Sequence, residues 1–207
     1  AQLRALYERL KAGAAVDPDT RVLLLTQYHE AASTIGDMHA VAEVGPMLER
    51  AMQEIPPESP RWASARLSLL ALMNDNAAQE AGFRELPGHP AAAADASLRR
   101  WTLMLLANEM RLNGQAPQAQ AILEAEIAAL RKDGTPLEQA YFLDRLARIQ
   151  RGEARTASMR EVDALMTAQL GAGHPLTQQK RFSLVLNLQA SDPDPALDAE
   201  LEALIDA

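Results

Sequence analysis

Four histidines, two tryptophans and a run of arginines are the residues here whose types could do chemistry, and their spacing decides which. The histidines are His29, His39, His89 and His174. A helical zinc site needs two histidines one turn apart with a glutamate after the first, the H-E-x-x-H pattern. Here His29-Glu30 is followed by Ala31-Ala32-Ser33, so the second ligand is missing. His89 and His174 each precede a proline, about 85 residues apart, and read as helix-start structure in place of a metal or catalytic role. The absence of Cys removes thiolate nucleophiles, disulfides and Cys-based metal sites together. No G-x-G-x-x-G, Walker loop or G-x-S-x-G occurs, and scattered carboxylates on helices are ordinarily solvated faces. The sequence therefore predicts no catalytic residue, no metal ligand and no cofactor, in a chain that is not an enzyme.

What remains suits binding. Trp62 and Trp101 fall early in predicted helices, where aromatics either line a groove or pack neighbouring helices together. A basic run follows at Arg145, Arg148, Arg151, Arg155 and Arg160, with Arg181 further on. Arg145 and Arg148 are one helical turn apart, so an acidic partner segment can lie across them. Internal pairing with Asp144, Glu153 and Glu161 is the competing assignment.

Composition narrows the partner. The 207 residues carry 28 Asp+Glu against 20 Lys+Arg, a formal charge of −8. Asp192, Asp194, Asp198, Glu200, Glu202 and Asp206 cluster in the last sixteen residues without a basic one, and the rest is nearly neutral. General nucleic-acid binding needs a basic footprint and is not expected; the acidic segment reads as a solvated face. No window approaches the roughly 20 apolar residues that span a bilayer, so no membrane insertion is expected. Localisation reads as cytoplasmic, with the periplasm an open alternative. The start at Ala1 and an unpaired leading helix suggest a piece cut from a longer protein, or else a capping helix.

The elements that position these residues follow a period. Asp17-Pro18, Ser59-Pro60, His89-Pro90, Thr135-Pro136 and His174-Pro175 place prolines 42, 30, 46 and 39 residues apart. Proline suits the first position of a helix, where its missing N–H is not needed, and Asp, Ser and Thr before it are good N-caps. Turn residues at Gly36-Asp37, Asn76, Gly152-Glu153 and Ser191-Asp192 come 16 to 18 residues after their prolines. The middle unit departs, with Gly114 24 residues after Pro90, so Gly88–Ala94 is expected to add a longer loop or an extra helical turn. Leu6-Tyr7-Glu8-Arg9-Leu10 echoes Met47-Leu48-Glu49-Arg50-Ala51 at an offset of 41.

Apolar spacing agrees. Leu3, Leu6, Tyr7 and Leu10 form one stripe, as do Ala119, Ile122, Leu123, Ile127 and Leu130. Val162, Leu165, Met166 and Leu170 form another, and Leu197, Leu201, Leu204 and Ile205 a fourth. The reading is a lone helix at 2–12, then pairs 18–36 with 39–54, 60–74 with 77–86, 95–113 with 116–131, 136–151 with 156–170, and 175–190 with 195–206. As one domain over 1–207 this is a leading segment 1–16 and repeats at 17–58, 59–87, 88–134, 135–173 and 174–207.

These motifs resemble tetratricopeptide repeats of the long type found in kinesin light chains and bacterial signalling proteins. Gly171-Ala172-Gly173-His174-Pro175-Leu176-Thr177 is similar to the family's loop, Gly36-Asp37 to its turn, and Leu6-Tyr7-Glu8-Arg9-Leu10 to its second helix. Leu112-Asn113-Gly114-Gln115 with Ala119 resembles the joint of ordinary units. Phe182 and Ser183 stand where family members carry an Asn pair that clamps a peptide backbone. The resemblance implies an all-α, right-handed superhelical solenoid of about five antiparallel helix pairs. It also implies a concave surface that binds a partner protein or peptide within a bacterial signalling or regulatory protein. The expected contact residues are Tyr28, Trp62, Arg99, Trp101, Asn108, Arg111, Arg145, Arg148, Gln178 and Arg181. A spacer or self-associating array forming a homodimer, and a helical small-molecule sensor, are the alternatives.

Overall fold

The computed structural model describes residues 2–73, 75–93, 95–191 and 194–205, and all the regular structure among them is helical. The helices are α1 (Gln2–Lys11), α2 (Pro18–Thr34), α3 (Met38–Met52), α4 (Pro60–Leu70), α5 (Asn76–Glu85), α6 (Pro90–Ala93) and α7 (Ala96–Leu112). They continue with α8 (Ala116–Asp133), α9 (Pro136–Ala147), α10 (Gly152–Leu170), α11 (Pro175–Ser191) and α12 (Pro195–Ile205). A short 3₁₀ turn, Leu86–Gly88, precedes α6. No helix among the described residues is long and apolar enough to cross a membrane.

Each of the five X-Pro dipeptides that set the period starts a helix, and at each one the residue before proline caps it. Asp17 Oδ1 accepts from the Thr20 N–H at 2.9 Å, and Ser59 Oγ from the Arg61 N–H at 3.2 Å. Thr135 and Glu138 form a reciprocal capping box. The two histidines do the same work with a ring nitrogen. His89 Nδ1 accepts from the Ala91 N–H at 3.4 Å, and His174 Nδ1 from the Leu176 N–H at 3.2 Å. These rings satisfy N–H groups that proline alone leaves unserved.

Two of the expected turns share one geometry. Gly36 and Gly114 adopt φ of 74° and 79°, left-handed values that a Cβ disfavours. The following N–H then reaches back five residues, from Asp37 to the Ala32 carbonyl and from Gln115 to the Met110 carbonyl, at 2.9 and 2.7 Å. This closes the spent helix. Asp37 at once caps the next one through the Ala40 N–H.

The chain forms two compact units, 1–106 and 107–207, with the boundary inside α7. In the first unit α2 packs against α1, α3 and α4. Its core joins Tyr7, Val22, Leu25, Val44, Leu48 and Ile55, with Leu10, Tyr28, Trp62 and Leu69 packed on the outside. Tyr7 and Tyr28 stack at 4.1 Å, and burial, followed by the nearby Glu43 carboxylate, raises the Tyr7 pKa to about 12. In the second unit α9 packs on α8 and α10, and α11 on α10 and α12. Leu123, Leu130, Leu143, Val162, Met166 and Val185 are buried there.

Most predicted boundaries lie within a few residues of the observed ends; α9 ends at Ala147 in place of 151, and two further differences are instructive. The helix expected over 60–74 stops at Leu70, whose carbonyl accepts from the Met73 N–H at 3.2 Å and from the Gln79 side-chain amide at 2.8 Å. The extra turn expected near 88–94 is real as the 3₁₀ turn plus α6, although Ala94 lies outside the described residues. Helix α10 begins at Gly152, four residues earlier than expected, because left-handed Gly152 makes the turn and enters the helix together. In α12, Leu197, Leu201 and Leu204 are half-buried, but Ile205 is 69% exposed, since α11 alone covers that face. Asp192 and Asp206 of the acidic segment, and the side chain of Leu3, lie outside the description.

One glycine is fixed by contact. Gly82 in α5 faces fully buried Leu70, and a Cβ added there would overlap a Leu70 methyl. Ala is ordinarily the better helix former, yet Gly82→Ala is expected to cost about 1–3 kcal/mol through overpacking. Urea denaturation of the variant against the native chain measures it; equal or greater stability would show that Leu70 has room to move.

Candidate functional site

The second unit gathers cations from four helices, α7, α9, α10 and α11. Asn108 and Arg111 near the end of α7, Leu123 of α8, and Arg145, Arg148 and Ile149 at the end of α9 line one narrow cleft. Its free space is about 10 Å³, enough for a single water-sized oxygen. Arg148 also lines a second, roomier groove of about 360 Å³ with Asp144, Arg155, Gln179, Lys180 and Ser183. The two clefts together present five cations (Arg111, Arg145, Arg148, Arg155 and Lys180) and one carboxylate, Asp144. This in a chain of net charge −8 is a local inversion of sign.

Among the described residues, Arg148 and Lys180 have a carboxylate partner, whereas the side chains of Arg145 and exposed Arg155 have none. Asp144 accepts from Arg148 at 3.1 Å and from Lys180 at 2.8 Å, and Lys180 is largely buried. Arg111 donates to Asn108 Oδ1 at 3.3 Å. Arg145 is half-buried, and its guanidinium makes no hydrogen bond or ion pair with the described residues. Burial, then the adjacent charge of Arg148, lowers its pKa; Asp144 opposes the shift and Arg111 adds to it. The guanidinium stays ionised regardless. It is a desolvated cation held among like charges.

The other expected contact residues divide between the two units. Arg181 does not join this surface: its guanidinium grips Asp163 of α10 through two bonds of 3.1 Å and adds Thr167 at 3.0 Å. Lys180, one residue earlier and about 100° round the helix, takes the place in the groove. Gln178 is half-buried and lines neither cleft, whereas Gln179 lines the groove. Of the internal pairs weighed for the basic run, Arg148 with Asp144 is present, and Glu161 pairs with Arg131 of α8.

In the first unit the tryptophans have different fates. Trp62 is half-buried against the core and stacks on His89 at 4.0 Å with a 9° interplanar angle. Trp101 is 49% exposed and lines a cleft of about 230 Å³ with Leu105, Glu30, Ser33, Thr34 and residues of α4. Tyr28 is engaged with Tyr7, and Arg99 is half-buried at the start of α7. At the floor of this cleft Ser68 Oγ shares a hydrogen with buried His29 Nδ1 at 2.8 Å. Glu30 stands at the rim with its carboxyl pKa raised by its apolar surroundings. Sequence reasoning passed over Glu30, whose only visible signal was proximity to a failed zinc motif.

Among the described residues no group of three His, Asp or Glu is placed to hold a metal ion. No protein-family model matches this chain, and no curated protein matches it.

Two outcomes follow from this geometry. Burial lowers the His29 pKa, so the unfolded chain binds the proton more readily and stability falls as pH drops below the ordinary histidine value near 6.5. The urea midpoint of the native chain is expected to fall between pH 7 and pH 5 by more than that of His29→Asn. A matching fall in both would remove His29 as the cause. Arg145→Met relieves an uncompensated charge and keeps the packing, so it is expected to stabilise by about 0.5–2 kcal/mol. A lowered thermal midpoint would mean that Arg145 has a partner in the folded state.

Proposed function

We propose that this chain is a protein-interaction module of the tetratricopeptide type, and that its basic clefts hold an acidic segment of a partner protein. In this reading the helix pairs continue as a right-handed superhelical solenoid whose inner helices carry the contact surface. The observation that supports it best is the sign inversion around Arg148, where five cations meet one carboxylate. The half-buried Arg145 strengthens it. A desolvated arginine without a counter-ion costs stability in the free protein, and an incoming carboxylate recovers that cost through a charge-assisted, bidentate pair. Affinity then rests on a few anchors, with charge guiding encounter and register.

The X-Pro starts and Gly turns support the repeat reading, since each pair is one supersecondary unit that buries its apolar face against the next. Phe182 and Ser183 in place of an asparagine pair argue for side-chain carboxylate recognition over a backbone clamp. The setting of a bacterial signalling or regulatory protein is part of the same proposal.

Affinity capture from the native host, with native chain and the Arg145→Glu/Arg148→Glu double variant side by side, tests this. One partner held by the native chain and lost by the variant, with unchanged helicity by circular dichroism, is the expected result. For that partner the affinity should fall at least about tenfold in the variant and weaken with added salt. Equal retention by both proteins would remove the arginine clefts from the binding surface.

A further inference from the structure

The cleft beside Trp101 has a chemistry opposite to that of the arginine clefts. Its walls are Leu67, Ala71, Leu72 and Leu105, and its polar groups are the Glu30 carboxylate and the hydroxyls of Ser33, Thr34 and Ser68. No basic side chain lines it. Thr34 donates its hydroxyl hydrogen to the Glu30 carbonyl at 2.8 Å, so within the cleft its oxygen can only accept. The Ser68 hydroxyl is engaged with His29. The Glu30 carboxylate makes no hydrogen bond or ion pair with the described residues. Acceptors therefore outnumber donors, and the one full charge in the cleft is negative and uncompensated.

Trp101 completes the set. An indole beside a carboxylate attracts a cation through its ring face as well as through charge. An ammonium brings three donors and no acceptor, the complement of this lining. The apolar walls suit a short alkyl stem, and about 230 Å³ is below the range typical of drug-sized sites.

We propose that this cleft binds a primary alkylammonium group, with Glu30 as counter-ion, Trp101 as the aromatic wall, and Leu72 and Leu105 against the stem. It stands independently of the acidic-partner reading, because it lies wholly within the first unit and uses none of the arginines. The same chemistry is offered by a lysine side chain of another polypeptide and by a free small amine.

The chain has two tryptophans, so Trp62→Phe leaves Trp101 as the sole tryptophan, excited selectively over the three tyrosines at the red edge. Its fluorescence is followed while n-butylammonium, a blocked lysine-containing pentapeptide or n-butanol is added, with calorimetry on the native chain as the parallel measurement. Saturable binding of n-butylammonium, weakened about tenfold or more by Glu30→Gln, supports the site and makes a free amine a sufficient ligand. Binding of the lysine peptide alone, with the same Glu30 dependence, supports it with a polypeptide as the source. Binding of n-butanol as tightly as n-butylammonium, insensitivity to Glu30→Gln, or no binding of either cation by calorimetry would overturn it.

Discussion

A helix that begins with proline has its first turn preset but still exposes backbone N–H groups that something must satisfy. Among the described residues that requirement is met six times by the side chain just before the proline. Asp17, Ser59, His89, Thr135, His174 and Asp194 serve in turn. Because each cap fixes where a helix starts, it also fixes which residues face its neighbours. The buried stripe of α9 (Ala140, Leu143, Leu146 and Ala147) follows from a start at Pro136 set by Thr135 and Glu138. So does the placing of Arg145 and Arg148 at the free end of the same helix.

That dependence explains how much of the architecture is legible in the amino-acid sequence. Caps, prolines and left-handed glycines act over three to five residues, so they can be recognised without knowing what packs where. Helix ends set by distant partners are less visible. The early end of α4 depends on Gln79 reaching back across the α4–α5 turn to a carbonyl.

The surroundings of the candidate contact residues are harder to read for the same physical reason. Lys180 and Arg181 are adjacent and both half-buried, flanking a stripe that buries Thr177 and Leu184. Which one meets Asp163 and which meets Asp144 is settled by the spacing between helices, a quantity of tertiary packing. Trp62 and Trp101 pose the same problem. Both fall in the first two turns of a helix, but among the described residues only Trp62 has a ring, His89, stacked on its face. Charge pairing is similarly non-local: Arg131 and Glu161 meet across 30 residues of chain, and Lys11 and Glu43 across 32. What the sequence does disclose is the surplus of arginine in one region, because surplus survives any pairing scheme.

The histidine caps restrict hydrogen placement on the imidazole. A ring that accepts a backbone N–H at Nδ1 must keep that nitrogen bare, so its single hydrogen resides on Nε2. His89 and His174 are therefore confined to one of the two neutral tautomers by the helices they begin. Rotating either ring to offer Nδ1 elsewhere would leave a helix start unserved. Nε2 is the nitrogen through which these two side chains are left to interact with their surroundings.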